Sequence, residues 1–90
     1  MTTDQPIRVV LADDHQVVRH GIQQFLAAAN IDVVAEAENG EQALWQIEQH
    51  QPDVAILDIQ MPGYSGIEVA RRVRAQGWPV GLLILTAYDD

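Results

Sequence analysis

Short apolar runs alternate with amphipathic stretches along this chain. Four of the runs predict strands; the first is β-branched and almost continuously apolar, as expected for a strand covered on both faces, whereas the second is partly polar and predicted nearer an edge of the sheet. The predicted strands are Ile7 to Leu11, Ile31 to Ala37, Val54 to Leu57 and Val80 to Leu85. Because the strands alternate with helices through short loops, we predict an α/β fold with a doubly wound parallel sheet.

The first amphipathic stretch predicts a helix that ends near Asn30. Its apolar residues recur at helical spacing, as expected when one face of a helix is buried. These residues are Val18, Ile22, Phe25, Leu26 and Ala29.

Two further helices begin at residues that can cap the first turn. Asn39 has Gln42 three positions later, and Ser65 has Glu68 at the same spacing, which is the capping-box pattern. The apolar residues that face inward are Ala43, Leu44 and Ile47 in one helix and Val69, Ala70 and Val73 in the other. Residues that cannot continue a helix then follow, namely Pro52 in the first case and Gly77 with Pro79 in the second.

Polar side chains follow three of the predicted strands at the point where each strand ends. Asp13 and Asp14 follow the first strand, Asp58 closes the third, and Thr86 follows the fourth. Open α/β sheets bind ligands beyond the carboxyl ends of their strands. Clustered carboxylates repel one another, and Mg²⁺ relieves that repulsion through oxygen ligands. The pattern therefore predicts a magnesium site that includes Asp13, Asp14 and Asp58.

Asp58 is also the candidate nucleophile at this edge of the sheet. A carboxylate can attack phosphorus and form an acyl phosphate, and the protein contributes mainly positioning and charge neutralisation. Thr86 could bond a phosphoryl oxygen through its hydroxyl. Gly63 and Gly66 allow a tight loop beside the phosphate, and Pro62 stiffens its start.

Each of these residues also has an ordinary structural explanation. Asp13 and Asp14 suit a helix N-cap, where a carboxylate is favoured by the helix dipole. Asp58 could be a common strand-to-turn residue, and a β-branched residue such as Thr86 is frequent near strand ends. Taken alone, the pair Asp13 and Asp14 favours the N-cap. Taken together with Asp58, it favours metal binding.

Composition narrows the classes of function. The chain has 90 residues, 48% of them hydrophobic, which suits one domain over residues 1–90. Its formal net charge of −8 disfavours direct binding to DNA or RNA. It has no cysteine for disulfides or thiolate metal sites, and no apolar run approaches the ~20 residues of a membrane span. We predict a soluble cytoplasmic protein with no membrane partner.

The other titratable and aromatic side chains favour structural roles. We predict His15 in a first helical turn without an essential chemical role, and no spacing joins it with His20 and His50 in a zinc site. Trp45 and Trp78 are predicted to pack in the core, although Trp78 could be partly exposed because it lies near a helix end. Three arginines predict an exposed helix face, and they are Arg71, Arg72 and Arg74.

Three segments together resemble the receiver domain of two-component response regulators. They are Ala12-Asp13-Asp14-His15, Asp58-Ile59-Gln60-Met61-Pro62-Gly63-Tyr64-Ser65-Gly66 and Leu85-Thr86-Ala87, in this order and across essentially the whole chain. Asp13-Asp14-His15 with Arg19 and Gly21 is most similar to the LuxR/NarL-type branch, whose members usually carry a C-terminal helix-turn-helix domain. The resemblance implies a flavodoxin-like fold with strand order 2-1-3-4.

The resemblance also implies a role for each residue of the site. Asp58 would accept a phosphoryl group from a sensor histidine kinase, in a switch domain that is not itself an enzyme. Asp13 and Asp14 would bind Mg²⁺, Asp14 directly and Asp13 partly through water. Gln60 would add its main-chain carbonyl to the metal. Thr86 would be the switch hydroxyl that moves toward the phosphoryl group.

The family pattern includes parts that this sequence does not contain. Relatives continue through a fourth helix, a fifth strand and a fifth helix, with a lysine that pairs with the phosphoryl oxygen. The 90 residues include no lysine, so we expect a receiver domain cut short before the fifth strand. DNA would be contacted only through a missing C-terminal domain, and an uncovered last strand allows a homodimer or strand-exchanged dimer. Tyr88, like the side chain of Gln60, stands where the family tunes the lifetime of the acyl phosphate.

Two other functions remain open from the sequence alone. One is a phosphorylation-independent protein-interaction module, motivated by the missing lysine and the uncovered last strand. The other is a Mg²⁺-dependent phosphohydrolase that acts through an aspartyl phosphate. Such enzymes commonly carry a second acid two residues after the nucleophile, where this chain has Gln60. A P-loop nucleotide site is disfavoured, because no glycine-rich loop ends in lysine.

Overall fold

The computed structural model describes residues 5–86 as four strands and three helices in strict alternation. The strands are β1 (Ile7–Ala12), β2 (Ile31–Ala37), β3 (Val54–Asp58) and β4 (Gly81–Leu85). The helices are α1 (Gln16–Ala28), α2 (Gly40–His50) and α3 (Gly66–Gln76). Each of these elements was predicted from the sequence, and the ends differ by only one or two residues.

The four strands are parallel and lie in the order β2-β1-β3-β4, which confirms the flavodoxin-like arrangement implied by the sequence. Ala12 pairs with Leu57, and Asp58 pairs with Leu85. The carboxyl ends of β1, β3 and β4 therefore lie at nearly the same level. The chain leaves β1 toward β2 on one side and returns to β3 on the other, which creates the switch point where such sheets bind ligands.

Helices cover both faces of the sheet. Successive strand residues point to opposite faces, so Val10 and Ala12 pack in the core shared with α2 and α3. Val9 and Leu11 pack in the smaller core under α1. These four side chains are almost completely buried, and their burial holds β1 at the centre of the molecule.

Both predicted capping residues cap their helices. Asn39 Oδ1 accepts a hydrogen bond of 2.8 Å from the main-chain N–H of Gln42 at the start of α2. Ser65 Oγ accepts one of 3.2 Å from the N–H of Glu68 at the start of α3. These contacts satisfy N–H groups that have no partner inside the helix, and they fix where the preceding loops end.

Only part of the apolar pattern of α1 is buried. Ile22 and Leu26 pack against the sheet, whereas Phe25 is 73% exposed and Val18 is 43% exposed. Residues four apart lie above one another on a helix, so a single helix on a sheet buries a narrow stripe. Within residues 5–86 no second helix shares this face, and nothing covers the flank that carries Phe25.

The prediction that Trp45 packs in the core was wrong, because its side chain is 58% exposed. Ala43 and Ile47 turn one side of α2 toward the sheet, and both are completely buried. Trp45 lies about 200° around the helix from Ala43, which places it on the opposite side. Trp78 packs against the core under α2 and α3, as predicted. Among the described residues, no helix is long and apolar enough to cross a membrane.

Candidate functional site

One cleft at the carboxyl edge of the sheet collects the residues that the sequence singled out. It is lined by Asp13 and Asp14 after β1, Asp58 at the end of β3 and Thr86 after β4. Gln60 borders the same cleft from the loop that follows β3. The parallel strands and their common level bring these positions together although up to 73 residues separate them in the chain, from Asp13 to Thr86.

Three carboxylates and one imidazole in this cleft could share a single ion. Asp13, Asp14, His15 and Asp58 each offer one ligand atom, and these atoms all lie within 4.8 Å of one another. In the described part of the chain this is the one such group of three or more side chains. Mg²⁺ prefers oxygen ligands, so the three carboxylates fit that ion by their chemistry.

The loop between β1 and α1 is held by hydrogen bonds on both sides of Asp13. The N–H of Asp13 donates to the carbonyl of Ala37 at 3.1 Å. Its carbonyl accepts a 2.6 Å bond from Nη1 of Arg19, and its Oδ1 accepts a 2.8 Å bond from the N–H of His15. The N-cap residue of α1 is His15, so neither Asp13 nor Asp14 occupies the N-cap position that was the structural alternative.

His15 belongs to the acidic cluster, which the sequence reasoning missed. It stands at the N-cap and not within the first helical turn as predicted. Nδ1 lies 3.2 Å from Asp13 Oδ1 and 3.1 Å from Asp14 Oδ1, while most of the imidazole is exposed. The position directly after two acids was the available signal, since a residue there shares their turn. His20 and His50 are outside the cluster.

The pKa of the Asp58 carboxyl is raised above its ordinary value. Burial is the largest cause, and the negative charges of Asp13 and Asp14 raise the pKa further. The main-chain N–H of Gln60, which donates to Asp58 Oδ1 at 3.2 Å, and the nearby His15 act in the opposite direction. Ionised Asp58 is therefore held in a site where a neighbouring positive charge would stabilise it.

The loop after β3 presses closely on Asp58. The N–H of Gly66 donates to the carbonyl of Ile59 at 3.1 Å, and the N–H of Ile59 donates to the carbonyl of Leu85 at 2.9 Å. A Cβ atom on Gly66 would collide with the main-chain carbonyl of Asp58. Gly63 has a φ of +75°, in the left-handed region that favours glycine. Both predicted loop glycines are thus required by the backbone.

Thr86 and Gln60 are both exposed in the cleft, at positions compatible with their predicted roles. No contact of the Thr86 hydroxyl links it to Asp58, so its function as a switch stays a prediction. The same holds for the Gln60 carbonyl as a metal ligand. Tyr88 lies outside the described residues.

A family model for the response regulator receiver domain matches residues 9–90. The chain belongs to this family. Receiver domains are the phosphoacceptor switches of two-component systems and are generally not enzymes themselves, and they bind Mg²⁺ in an acidic pocket. The cluster of Asp13, Asp14 and Asp58 fits that pocket.

Relatives place this receiver domain close to the LuxR/NarL-type regulators. An uncharacterized response regulatory protein of Vibrio cholerae is 48% identical over 89 residues, covering 97% of this chain and 34% of that protein. The probable transcriptional regulatory protein NarL of Mycobacterium tuberculosis is 42% identical over 93 residues, covering 100% of this chain and 43% of that protein. The chain therefore spans less than half the length of these curated relatives.

A solved structure confirms the receiver fold. The signal receiver domain of the response regulator NarL from Mycobacterium tuberculosis superposes with a TM-score of 0.91 at 41% sequence identity. The match covers 96% of this chain and 70% of that one. The resemblance to the NarL-type branch, first indicated by Asp13-Asp14-His15 with Arg19 and Gly21, is thus confirmed.

The raised pKa of Asp58 predicts a pH-dependent stability in the receiver domain without cations. Protonation relieves the cost of burial and the repulsion by Asp13 and Asp14. The contribution of Asp58 to stability is therefore present below its unfolded pKa and is lost as the pH rises through its higher folded value. Asp58→Asn carries no charge, so at neutral pH it should unfold at a higher temperature than wild type.

Thermal unfolding followed by circular dichroism, in the presence of a chelator, measures this difference between wild type and Asp58→Asn. The difference should shrink as the pH is lowered from about 8 to about 4, toward the ordinary pKa of a carboxyl group. A difference that stays constant over this range would contradict the electrostatic origin.

Proposed function

We propose that this receiver domain accepts a phosphoryl group on Asp58 from a sensor histidine kinase, in a reaction that requires Mg²⁺. The observation that carries the proposal is the geometry of Asp13, Asp14 and Asp58 at the carboxyl edge of the sheet. Each offers one carboxylate oxygen, and these oxygens lie within 4.8 Å of one another. Asp58 is partly buried at the end of β3, and Asp13 and Asp14 lie beside it in the loop that follows β1.

Asp58 acts as the nucleophile in this reaction. One of its carboxylate oxygens attacks the phosphorus of a phosphohistidine, so an oxygen–phosphorus bond forms and the phosphorus–nitrogen bond breaks. The electron pair of the broken bond returns to the imidazole nitrogen of the kinase, which takes a proton from solvent. The product on this chain is an acyl phosphate, the usual result when a carboxylate is the nucleophile.

Three groups of this chain would hold the cation beside Asp58. They are the carboxylates of Asp13 and Asp14 and the main-chain carbonyl of Gln60, with Asp14 the more direct ligand because its side chain is the more exposed of the pair. Bound Mg²⁺ supplies positive charge that favours ionised Asp58 and offsets the charge of the phosphoryl oxygens. The N–H of Gln60 orients Asp58 by donating to Oδ1.

Phosphorylation would act by shifting an equilibrium between two conformations of the domain. Thr86 borders the cleft just after β4, where its hydroxyl can be drawn toward a phosphoryl oxygen on Asp58. The output would be control of transcription through a DNA-binding domain outside these residues. Support for this output comes from the similar NarL of Mycobacterium tuberculosis, which is named a transcriptional regulatory protein.

The residues of this cleft give less support to a phosphohydrolase. Such an enzyme would need a second acid to protonate the leaving group and to activate water. Gln60 stands two residues after Asp58 and offers an exposed amide, which does neither.

The proposal is tested with a small-molecule phosphodonor in the presence of Mg²⁺. We expect intact-mass spectrometry to find one added phosphate per chain, and peptide mapping to locate it on Asp58. A chelator should prevent the addition, because the cation is required. Addition to another residue, or addition that is unchanged by the chelator, would contradict the proposal.

A further inference from the structure

Arg19 is a buried charged residue next to the acidic cluster. It lies in the first turn of α1 and is 9% exposed, although arginine is among the residues least often buried. Asp13 is the other buried charged residue in the part of the chain that the structure describes. A guanidinium group in such a place needs partners for its N–H donors, because an unpaired buried charge is strongly destabilising.

The partners of Arg19 connect the acidic pair to the neighbouring strand. Nη1 donates to the main-chain carbonyl of Asp13 at 2.6 Å, in a buried hydrogen bond. Nε donates to Oε1 of Glu36 on β2 at 3.0 Å. The N–H of Asp13 is fixed as well, because it donates to the carbonyl of Ala37 beside Glu36. Both peptide groups of Asp13 are therefore tied to β2, one directly and one through Arg19.

The carbonyl that Arg19 holds belongs to the peptide group that joins Asp13 to Asp14. Rotation of this peptide group would change the direction of the Cα–Cβ bond of Asp14, and with it the position of the Asp14 carboxylate. Arg19 thus restricts the orientation of a carboxylate that it does not touch. Its own ion pair is with Glu36, so Arg19 orients the acidic pair without occupying the carboxylate oxygens that would bind a cation.

We propose that Arg19 is a positioning residue for the cation site, and that it sets the geometry of Asp13 and Asp14 by fixing the peptide between them. The inference rests on the proposed function, in which these two residues bind Mg²⁺. Replacing a residue that hydrogen-bonds to a metal ligand and orients it commonly weakens metal binding by about 10- to 100-fold. A divalent ion as small as Mg²⁺ demands near-ideal geometry, so it is sensitive to such a change.

The test measures the affinity for Mg²⁺ by isothermal titration calorimetry in Arg19 variants. Arg19→Ala and Arg19→Met both remove the donor to the Asp13 carbonyl, and methionine keeps most of the packing volume if alanine impairs folding. We expect both to bind Mg²⁺ at least about tenfold more weakly than wild type. Arg19→Lys keeps one donor and should recover part of the affinity. Circular dichroism on the same samples establishes that each variant is folded.

Arg8→Ala is the matched control. Arg8 also donates from Nη1 to a main-chain carbonyl, that of Gln51, at 3.3 Å. It lies at the opposite end of β1, far from the acidic cluster, so its loss should leave the affinity for Mg²⁺ within about twofold of wild type. A folded Arg19→Met with wild-type affinity would overturn the inference. An equal loss of affinity in Arg8→Ala would do the same, since it would indicate general loosening of the fold.

The two proposals fail in different ways. If the wild-type chain itself does not bind Mg²⁺, the proposed function fails and the role of Arg19 fails with it. If the wild-type chain binds Mg²⁺ and takes up phosphate, but Arg19→Met does so equally well, only the positioning role is wrong.

Discussion

The Asp58→Asn variant is expected to take up no phosphate under conditions in which the wild-type chain takes up one. An amide is not a nucleophile toward phosphorus, whereas the ionised carboxylate is. Asparagine has nearly the same size as aspartate, and its side-chain oxygen can still accept the hydrogen bond from the N–H of Gln60. The loss should therefore come from the missing carboxylate and not from a distorted cleft. Intact-mass spectrometry after exposure to a phosphodonor and Mg²⁺ measures it.

Asp53→Asn is the matched control for this substitution. Asp53 lies just before the other end of β3, where Oδ2 accepts a hydrogen bond of 2.8 Å from the N–H of Arg8. The change removes the same charge from the same protein without altering the cleft, so phosphate uptake should match wild type. Phosphate that still appears on Asp58→Asn in wild-type amount would exclude Asp58 as the acceptor.

Opposite effects on stability and activity are expected from Asp58→Asn. The raised pKa of Asp58 means that its ionised form is disfavoured in the folded protein by burial and by the charges of Asp13 and Asp14. The variant should therefore be inactive and yet more stable than wild type. Functional sites often carry such a cost, because the charges that chemistry requires are not those that packing favours.

Gly66→Ala is expected to lower the free energy of unfolding by about 3 kcal/mol, at the upper end of what overpacking costs. A Cβ atom on Gly66 would overlap the carbonyl oxygen of Asp58 and lie 3.0 Å from its carbonyl carbon and 3.2 Å from Cα of Ile59. All three are backbone atoms, so no side-chain rotation relieves the collision. The loop that presents Asp58 would have to move, and its hydrogen bond from Gly66 to Ile59 would lengthen.

Gly21→Ala is a control that should change the free energy of unfolding in the opposite direction. Gly21 lies inside α1, and apart from its chain neighbours and the backbone of the helix itself, no atom lies within 4 Å of a Cβ placed there. Alanine loses less backbone entropy than glycine in a helix, so this variant should gain about 0.5–1 kcal/mol. Urea denaturation followed by circular dichroism compares the two variants with wild type. Equal stability of Gly66→Ala and wild type would mean that the loop after β3 is not tightly packed on Asp58.

Local signals in the sequence were sufficient for the elements of the fold. The β-branched runs predicted the strands, and Asn39 and Ser65 predicted the starts of two helices. These features act within a few residues, through backbone preference and side-chain capping bonds, and so they can be read from short segments. The order of the strands was implied by the family that the motifs resemble, and the roles proposed for Asp13, Asp14 and Asp58 rest on their places at the strand ends and on the same resemblance.

The apolar pattern of α1 did not predict which of its side chains are buried. Helical spacing predicted that Phe25 belongs to the apolar face, and it does lie close to Ile22 on the helix. Whether a side chain on that face is buried depends on what stands opposite. Ile22 and Leu26 meet the sheet, whereas the flank with Phe25 has no partner among residues 5–86.

The sequence by itself determined the alternation of strands and helices, the capped helix starts and the placement of three aspartates at strand ends. Only the tertiary structure decided that Asp58 joins the group formed by Asp13, Asp14 and His15, and that Arg19 is buried between Asp13 and Glu36. The physical reason is the range of the interactions. A cap or a strand depends on neighbours in the chain, but the partners of Arg19 come from the loop after β1 and from β2, and they are brought together only when the sheet forms. Asp58, the proposed acceptor, could therefore be singled out from the sequence, whereas the positioning role that we propose for Arg19 could not.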